Sequence, residues 1–344
     1  MIFRWLTGLV LGLVCAVPAW VMAADQATVL MYHRVGESAH PSTNVTVEQF
    51  AEHLAYLADN GYTVVPLEDV VAWRDRSASL PPRAVAITFD DAYASVGDVA
   101  HAMLHERNWP YTVFVNSEAI DGGYGGYTGW SRMREMAAQG ARFANHTHTH
   151  APLQTLTKAE INAELATAQT RLIEELGDAV HQSPPLLAYP YGEYDLAAME
   201  HVASLGYVAF GQQSGVIGPS SDRRALPRFA MNERFAEMDG FSLKVQTRPM
   251  PIEAWQPINP VRESPRAPAL RVTLAQPDLP VHGLACFYGS ERLDPEWIEP
   301  GREFTVQGQA DLPIGRSRYN CTMPVGDGRF WWFTQMWIYG AAGS

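Results

Sequence analysis

Between residues 27 and 240, short apolar runs alternate with amphipathic stretches. The runs are Thr28–Tyr32, Thr63–Pro66, Ala84–Phe89, Tyr111–Val115, Ala141–Asn145, Leu186–Tyr189 and Tyr207–Gly211. Several are continuously apolar, as strands buried on both faces of a parallel sheet tend to be. Between them lie helices with readable starts. Thr46-Val47-Glu48-Gln49 is a capping box, opening a helix with Phe50, Leu54 and Leu57 on one face and Gly61 past its end. Thr157-Lys158-Ala159-Glu160 is a second, opening a helix to about Leu176, before Gly177. About seven strands in this order predict an α/β parallel barrel, complete or incomplete, with an open doubly wound sheet as the competing architecture.

The pattern breaks after residue 245. Residues 246–268 contain Pro249, Pro251, Pro257, Pro260, Pro265 and Pro268, which excludes a regular helix or an inner strand. This stretch reads as a linker, or a strap along the first domain. Residues 269–344 then show strand-like runs without a good helix and predict a small all-β, sandwich-like domain. In "RFWWFTQMWIYG", both faces of the strand are apolar, so burial between sheet and barrel is a simpler reading than a glycan-binding face.

The first 23 residues carry Arg4, an apolar run from Leu6 to Val21 and a small-residue cleavage pattern ending at Ala23. They read as a cleaved secretory signal, with an uncleaved membrane anchor as the alternative. The chain after it, 24–245, is the first domain. Secretion or a periplasmic location would allow Cys286 and Cys321 to form a disulfide. The net charge of −12 disfavours nucleic acid and anionic membranes as partners.

Chemistry gathers where strands end. "AITFDDAY" closes an apolar strand with Asp90 and Asp91; "TVLMYHRV" ends in His33; "LLAYPYG" ends in Pro190-Tyr191-Gly192. "ANHTHTHAPL" sets histidines at 146, 148 and 150. A strand would point all three rings to one face, whereas a helical turn would pair only His146 and His150. Ligand sites of parallel barrels lie at the C-terminal strand ends. Two histidines and a carboxylate form a usual catalytic zinc set.

"TFDD" and "HTHTH", with "YPYG" downstream, resemble the motifs of the polysaccharide deacetylases, the NodB-type carbohydrate esterase family 4, over about residues 27–235. The resemblance implies a distorted, partly open (β/α)7–8 barrel. It implies Asp90 as general base, and Asp91, His146 and His150 as ligands of one divalent ion. Zinc comes first, with cobalt, nickel or iron also compatible. It implies the Tyr191 backbone N–H as oxyanion donor, and leaves His148 pointing elsewhere. Two family features are missing: an arginine shortly before the Pro-Tyr-Gly, and a late Leu-x-His motif. In the family the first orients the catalytic base; Arg228 is the candidate to replace it, grouped with Tyr191 on the oxyanion and substrate side. His33 is the candidate general acid, because "MYHRV" is similar to the Tyr-His motif of the poly-N-acetylglucosamine deacetylase subgroup. The expected activity is N-deacetylation of N-acetylglucosamine-containing glycans, with cell-envelope export machinery as a candidate partner. Ester hydrolysis on O-acetylated glycans and a catalytically silent accessory role are the alternatives.

Overall fold

The computed structural model describes residues 24–275 and 279–340. The segment read as a signal peptide lies outside them. Seven parallel strands form the main path of the larger sheet: β1 (Ala27–Tyr32), β2 (Ala84–Asp90), β3 (Thr112–Val115), β4 (Arg142–Asn145), β5 (Leu186–Ala188), β6 (Val208–Phe210) and β7 (Phe229–Ala230). Their order is β7-β1-β2-β3-β4-β5-β6, with a two-residue strand, Thr63–Val64, added beside β2. Between the outer strands β6 and β7 the only described ladder element is an isolated parallel bridge, Phe210 to Leu226. The barrel is therefore partly open, as the sequence pattern and the resemblance predicted.

Alternation along the strands sorts the core. Leu30, Tyr32, Ile87, Phe89, Val113 and Phe143 meet the outer helices, including Phe50, Leu54 and Leu57 of α1 (Val47–Asp59). Ala27, Val29, Ala86, Phe114, Ala144, Ala188 and Phe210 meet each other on the opposite face. The same parity puts Thr88 and Asp90 with Ala86, so a carboxylate enters the barrel interior with nothing local to neutralise it. Both capping boxes form, at Thr46 with Gln49 and at Thr157 with Glu160 of α2 (Lys158–Leu176).

The C-terminal region is two antiparallel-rich sheets around one core of Leu270, Val272, Phe304, Cys286, Tyr319, Cys321, Met323 and Trp337, among others. The proline-rich stretch read as a linker is different in the structure. It supplies β8 (Arg248–Pro249), β9 (Ile252–Gln256) and β10 (Val261–Arg262). The remaining strands are β11 (Leu270–Leu274), β12 (Ala285–Tyr288), β13 (Glu291–Leu293), β14 (Glu296–Glu299), β15 (Glu303–Val306), β16 (Gly315–Gly326) and β17 (Arg329–Tyr339). Strands β8, β9 and β10 lie at sheet margins, where proline costs no ladder hydrogen bond. Cys286 lies directly opposite Cys321 across β12 and β16, and the two form a disulfide.

The aromatic strand β17 is shared between the two halves. Trp331, Phe333, Trp337 and Tyr339 join the sandwich core. Trp332 packs on the barrel against Phe229, with ring centroids 5.6 Å apart. Met336 and Ile338 join Leu187, Tyr189 and Met199.

Candidate active site

Asp90 is fully buried, and its partner comes from the segment that bridges the open side of the barrel. Arg228, also fully buried, gives it two parallel bonds, Nη1 to Oδ1 and Nη2 to Oδ2, both at 2.7 Å. The guanidinium is fixed in turn by the Gly211 carbonyl at 3.0 Å and the Thr88 hydroxyl at 3.3 Å. Phe114 lies 5.3 Å beneath it. Burial alone would raise the Asp90 pKa, but Arg228 and His146 outweigh it and hold the carboxyl below its ordinary value.

The chain turns sharply after Asp90. Asp91 (φ 70) and Ala92 (φ 58) take left-handed conformations, lifting Asp91 to the rim. His146 follows β4, and His150 arrives four residues later through two left-handed positions, Thr147 (φ 68) and His150 itself (φ 60). The segment is neither strand nor helix, so neither periodicity considered from sequence governs it. Asp91 Oδ1 lies 3.3 Å from His146 Nε2 and 3.2 Å from His150 Nε2. These three side chains, and no other such group among the described residues, bring metal-capable atoms within 4.8 Å of one another.

The donor set fits a cation. His146 Nδ1 donates to the Ala188 carbonyl at 2.8 Å, which leaves the Nε2 lone pair of the neutral ring facing Asp91. Asp91 Oδ1 is buried without a hydrogen-bond partner. A lone pair facing an orphaned carboxylate oxygen needs a positive charge between them. A tetrahedral centre with bonds of ~2.1 Å sets its ligand atoms ~3.4 Å apart, close to the spacing found. Burial would raise the Asp91 pKa, yet the adjacent His146 and His150 rings hold it well below the carboxylate range. Burial would lower His146, and Asp91 with Asp90 more than offset that.

The histidine loop is braced by groups not singled out in the sequence. Glu164, on α2, accepts from the N–H groups of His148 and Thr149 at 2.9 and 2.8 Å. Asn145 Oδ1 accepts from the Thr147 N–H at 2.8 Å. His148 points away from Asp91 and lies 2.8 Å from the Ser117 hydroxyl. The only signal for Glu164 was its position two turns inside a capped helix, which also suits a solvated glutamate.

His33 follows β1 and is half-buried. Burial pushes its pKa down against the opposing pull of Asp91 and Asp90. Tyr191 (φ 58) and Gly192 (φ 70) form a left-handed turn, and a Cβ at Gly192 would come within 2.5 Å of Gln212. The Tyr191 ring sits edge-on to His150, with centroids 4.5 Å apart. The structure thus gathers Asp90, Asp91, His146, His150, Tyr191 and His33 at one rim. Arg228 stands behind Asp90, out of reach of a substrate.

Residues 77–210 match the family model for polysaccharide deacetylases. YxkH of Bacillus subtilis, a presumed polysaccharide deacetylase, is 30% identical over 193 residues, covering 55% of this chain and 66% of its own. The poly-beta-1,6-N-acetyl-D-glucosamine N-deacetylase of Escherichia coli K12 is 24% identical over 240 residues, covering 58% of this chain. The chain spans only 35% of that E. coli protein. A Streptococcus pyogenes deacetylase solved with acetate shares the fold. It has a TM-score of 0.57 at 22% identity and covers 64% of this chain and 98% of its own.

Proposed function

The chain carries a polysaccharide deacetylase domain, and from that premise we propose that it is a secreted or periplasmic, metal-dependent N-deacetylase of N-acetylglucosamine-containing glycans. The observation that carries the proposal is the convergence of Asp91, His146 and His150 beside an Asp90 clamped by Arg228. The disulfide suits an oxidising compartment. No helix among the described residues is long and apolar enough to cross a membrane. In this reading the catalytic unit is residues 24–245, and the edge strands from Arg248 onward are counted with the sandwich.

In this reading Asp91, His146 and His150 hold one divalent ion, zinc by preference. When bound, the ion polarises the acetyl carbonyl and lowers the pKa of water beside it. Asp90 takes the proton of the attacking water. Arg228 keeps that carboxylate ionised and fixes its direction, the work of the arginine missing before the Pro-Tyr-Gly. The backbone N–H of Tyr191 donates to the developing oxyanion, a contact typically worth ~3 kcal/mol. His33 gives a proton to the departing amine. A histidine with a lowered pKa is less often protonated but a stronger acid when it is.

The test is acetate release from N-acetylglucosamine oligomers and from acetylated xylan by zinc-loaded protein, with Asp90→Asn and His150→Ala beside the wild type. Release from the oligomers is expected, lost in both variants, with bound zinc absent only from His150→Ala by elemental analysis. Release from xylan alone would replace the amide reading with an ester one. No release from either, at full zinc occupancy, would favour an accessory protein.

A further inference from the structure

One side chain of the sandwich reaches the active-site rim. On β16 the side chains alternate, so Arg316 and Asn320 share a face, while Tyr319 and Cys321 line the sandwich core. That face meets the barrel: Asn320 Oδ1 accepts from the Thr334 hydroxyl at 2.7 Å and lies 3.4 Å from the Ser214 hydroxyl. Arg316, near the start of the strand, extends onto the Pro190–Gly192 turn. Its Nη1 donates to the Tyr191 carbonyl and lies 3.4 Å from Gln212 Oε1. Its Nε is 3.5 Å from the Glu193 carboxylate, and its guanidinium carbon lies 5.9 Å from the Tyr191 ring centroid.

The turn needs such restraint. A left-handed tyrosine is strained and persists only where its surroundings over-determine it. Gly192 is held on one side by Gln212. Glu193 is buried, with one oxygen satisfied by Gln154 at 2.7 Å and the other facing Arg316. A buried carboxylate facing no cation would be drawn toward water, pulling the turn with it. Arg316 thus bonds the carbonyl of the residue whose N–H faces the reaction and compensates the acid two positions on. It also flanks the ring that abuts His150.

We propose that Arg316 is a positioning residue for deacetylation, acting through Tyr191, so that the sandwich completes the active site instead of accompanying it. The proposal rests on the deacetylase reading above. Arg316 lies outside residues 77–210, the part matched by the family model.

The experiment uses the full chain, zinc-loaded, as wild type, Arg316→Lys and Arg316→Gln. Steady-state acetate release from N-acetylglucosamine oligomers is measured together with thermal midpoint and zinc content. Small misplacements at a reacting centre cost up to ~100-fold, so Arg316→Gln should lower kcat by ~10-fold or more with KM within ~3-fold. Arg316→Lys, which keeps one donor for the Tyr191 carbonyl, should recover part of the loss. Zinc content and thermal midpoint should stay at wild-type levels. A wild-type kcat in Arg316→Gln, or a change in KM alone, would overturn the proposal. A second readout needs no turnover. The imidazole protons of His150 lie against the Tyr191 ring, so their NMR shifts should move in Arg316→Gln. Unmoved shifts would also overturn it. Wild type releasing no acetate from any glycan would sink the deacetylase reading alone, because the shifts still report whether Arg316 holds Tyr191.

Discussion

The two ends of the parallel sheet each hold a buried histidine within reach of a carboxylate, and they treat it oppositely. At the C-terminal end His146 lies 3.3 Å from Asp91, which is itself buried, and its pKa is raised. At the other end His181 donates its backbone N–H to Phe143 and sits 3.2 Å from the Thr112 hydroxyl. Its nearest carboxylate, Glu68, is 3.6 Å away and 39% exposed. There burial dominates, aided by Arg142, and the pKa falls to about 3. Burial is shared, so it does not make a site. What differs is a second charge desolvated with the ring, held there by a backbone left-handed at Asp91, Ala92, Thr147, His150 and Tyr191.

The sharpest way to break this contrast is at Arg228. If the rim is preorganised by paired buried charge, Arg228→Gln leaves Asp90 without its partner. Removing one member of a buried pair costs about 3–5 kcal/mol of stability. Acetate release should fall by ~100-fold or more, since the base loses both its charge state and its direction. Urea unfolding and kcat check the two effects separately. A variant that unfolds earlier yet turns over normally would move Asp90 from chemistry to scaffold.

A middle-sized effect belongs to neutral buried histidines away from the rim. His181, at about 3, and His53, held at about 4 mainly by burial, both titrate below their ordinary 6.5. As pH falls through 6.5 the unfolded chain takes up protons that the folded chain refuses. Stability is therefore full above that value and is lost on the way down toward the folded pKa values. Each should cost on the order of 2 kcal/mol between about pH 7 and about pH 5. Denaturant unfolding at the two pH values measures it, and His181→Asn should remove about one proton from the slope. A slope untouched by the substitution would mean that His181 is not held neutral, and the two ends would no longer differ in kind.

The sequence carried the local devices well and the long-range ones poorly. The seven apolar runs all contain strands, with ends shifted by a residue or two. Both capping boxes were visible because their partners lie three residues apart. Asp91, His146 and His150 could be grouped because motif resemblance stood in for spatial information. The loop geometry that joins them could not, since left-handed threonine and histidine leave no compositional trace. Strand β7 is two residues long and is defined only by its pairing with β1. Arg228 was legible as a substitute for a missing arginine, but its bond to Asp90 spans 138 positions. Prolines masked three edge strands, because proline argues against a strand only where both neighbours are paired.

The smallest effect tests where the site ends and the scaffold begins. Helix α2 carries Glu164, which braces the His148–Thr149 backbone, and its first turn is closed by the exposed Thr157–Glu160 box. Thr157→Ala should cost about 1 kcal/mol, the usual worth of an N-cap, with kcat unchanged. Chemical unfolding and acetate release read the two separately. The expectation follows from position: the cap lies seven residues before Glu164, two turns away along a helix whose Ile161, Leu165, Ala168 and Leu172 are already anchored in the core. Those apolar anchors, more than the cap, fix the height of Glu164 under the histidine loop. If kcat falls with stability, the first turn transmits strain through Glu164 to His150, and the helix belongs to the site.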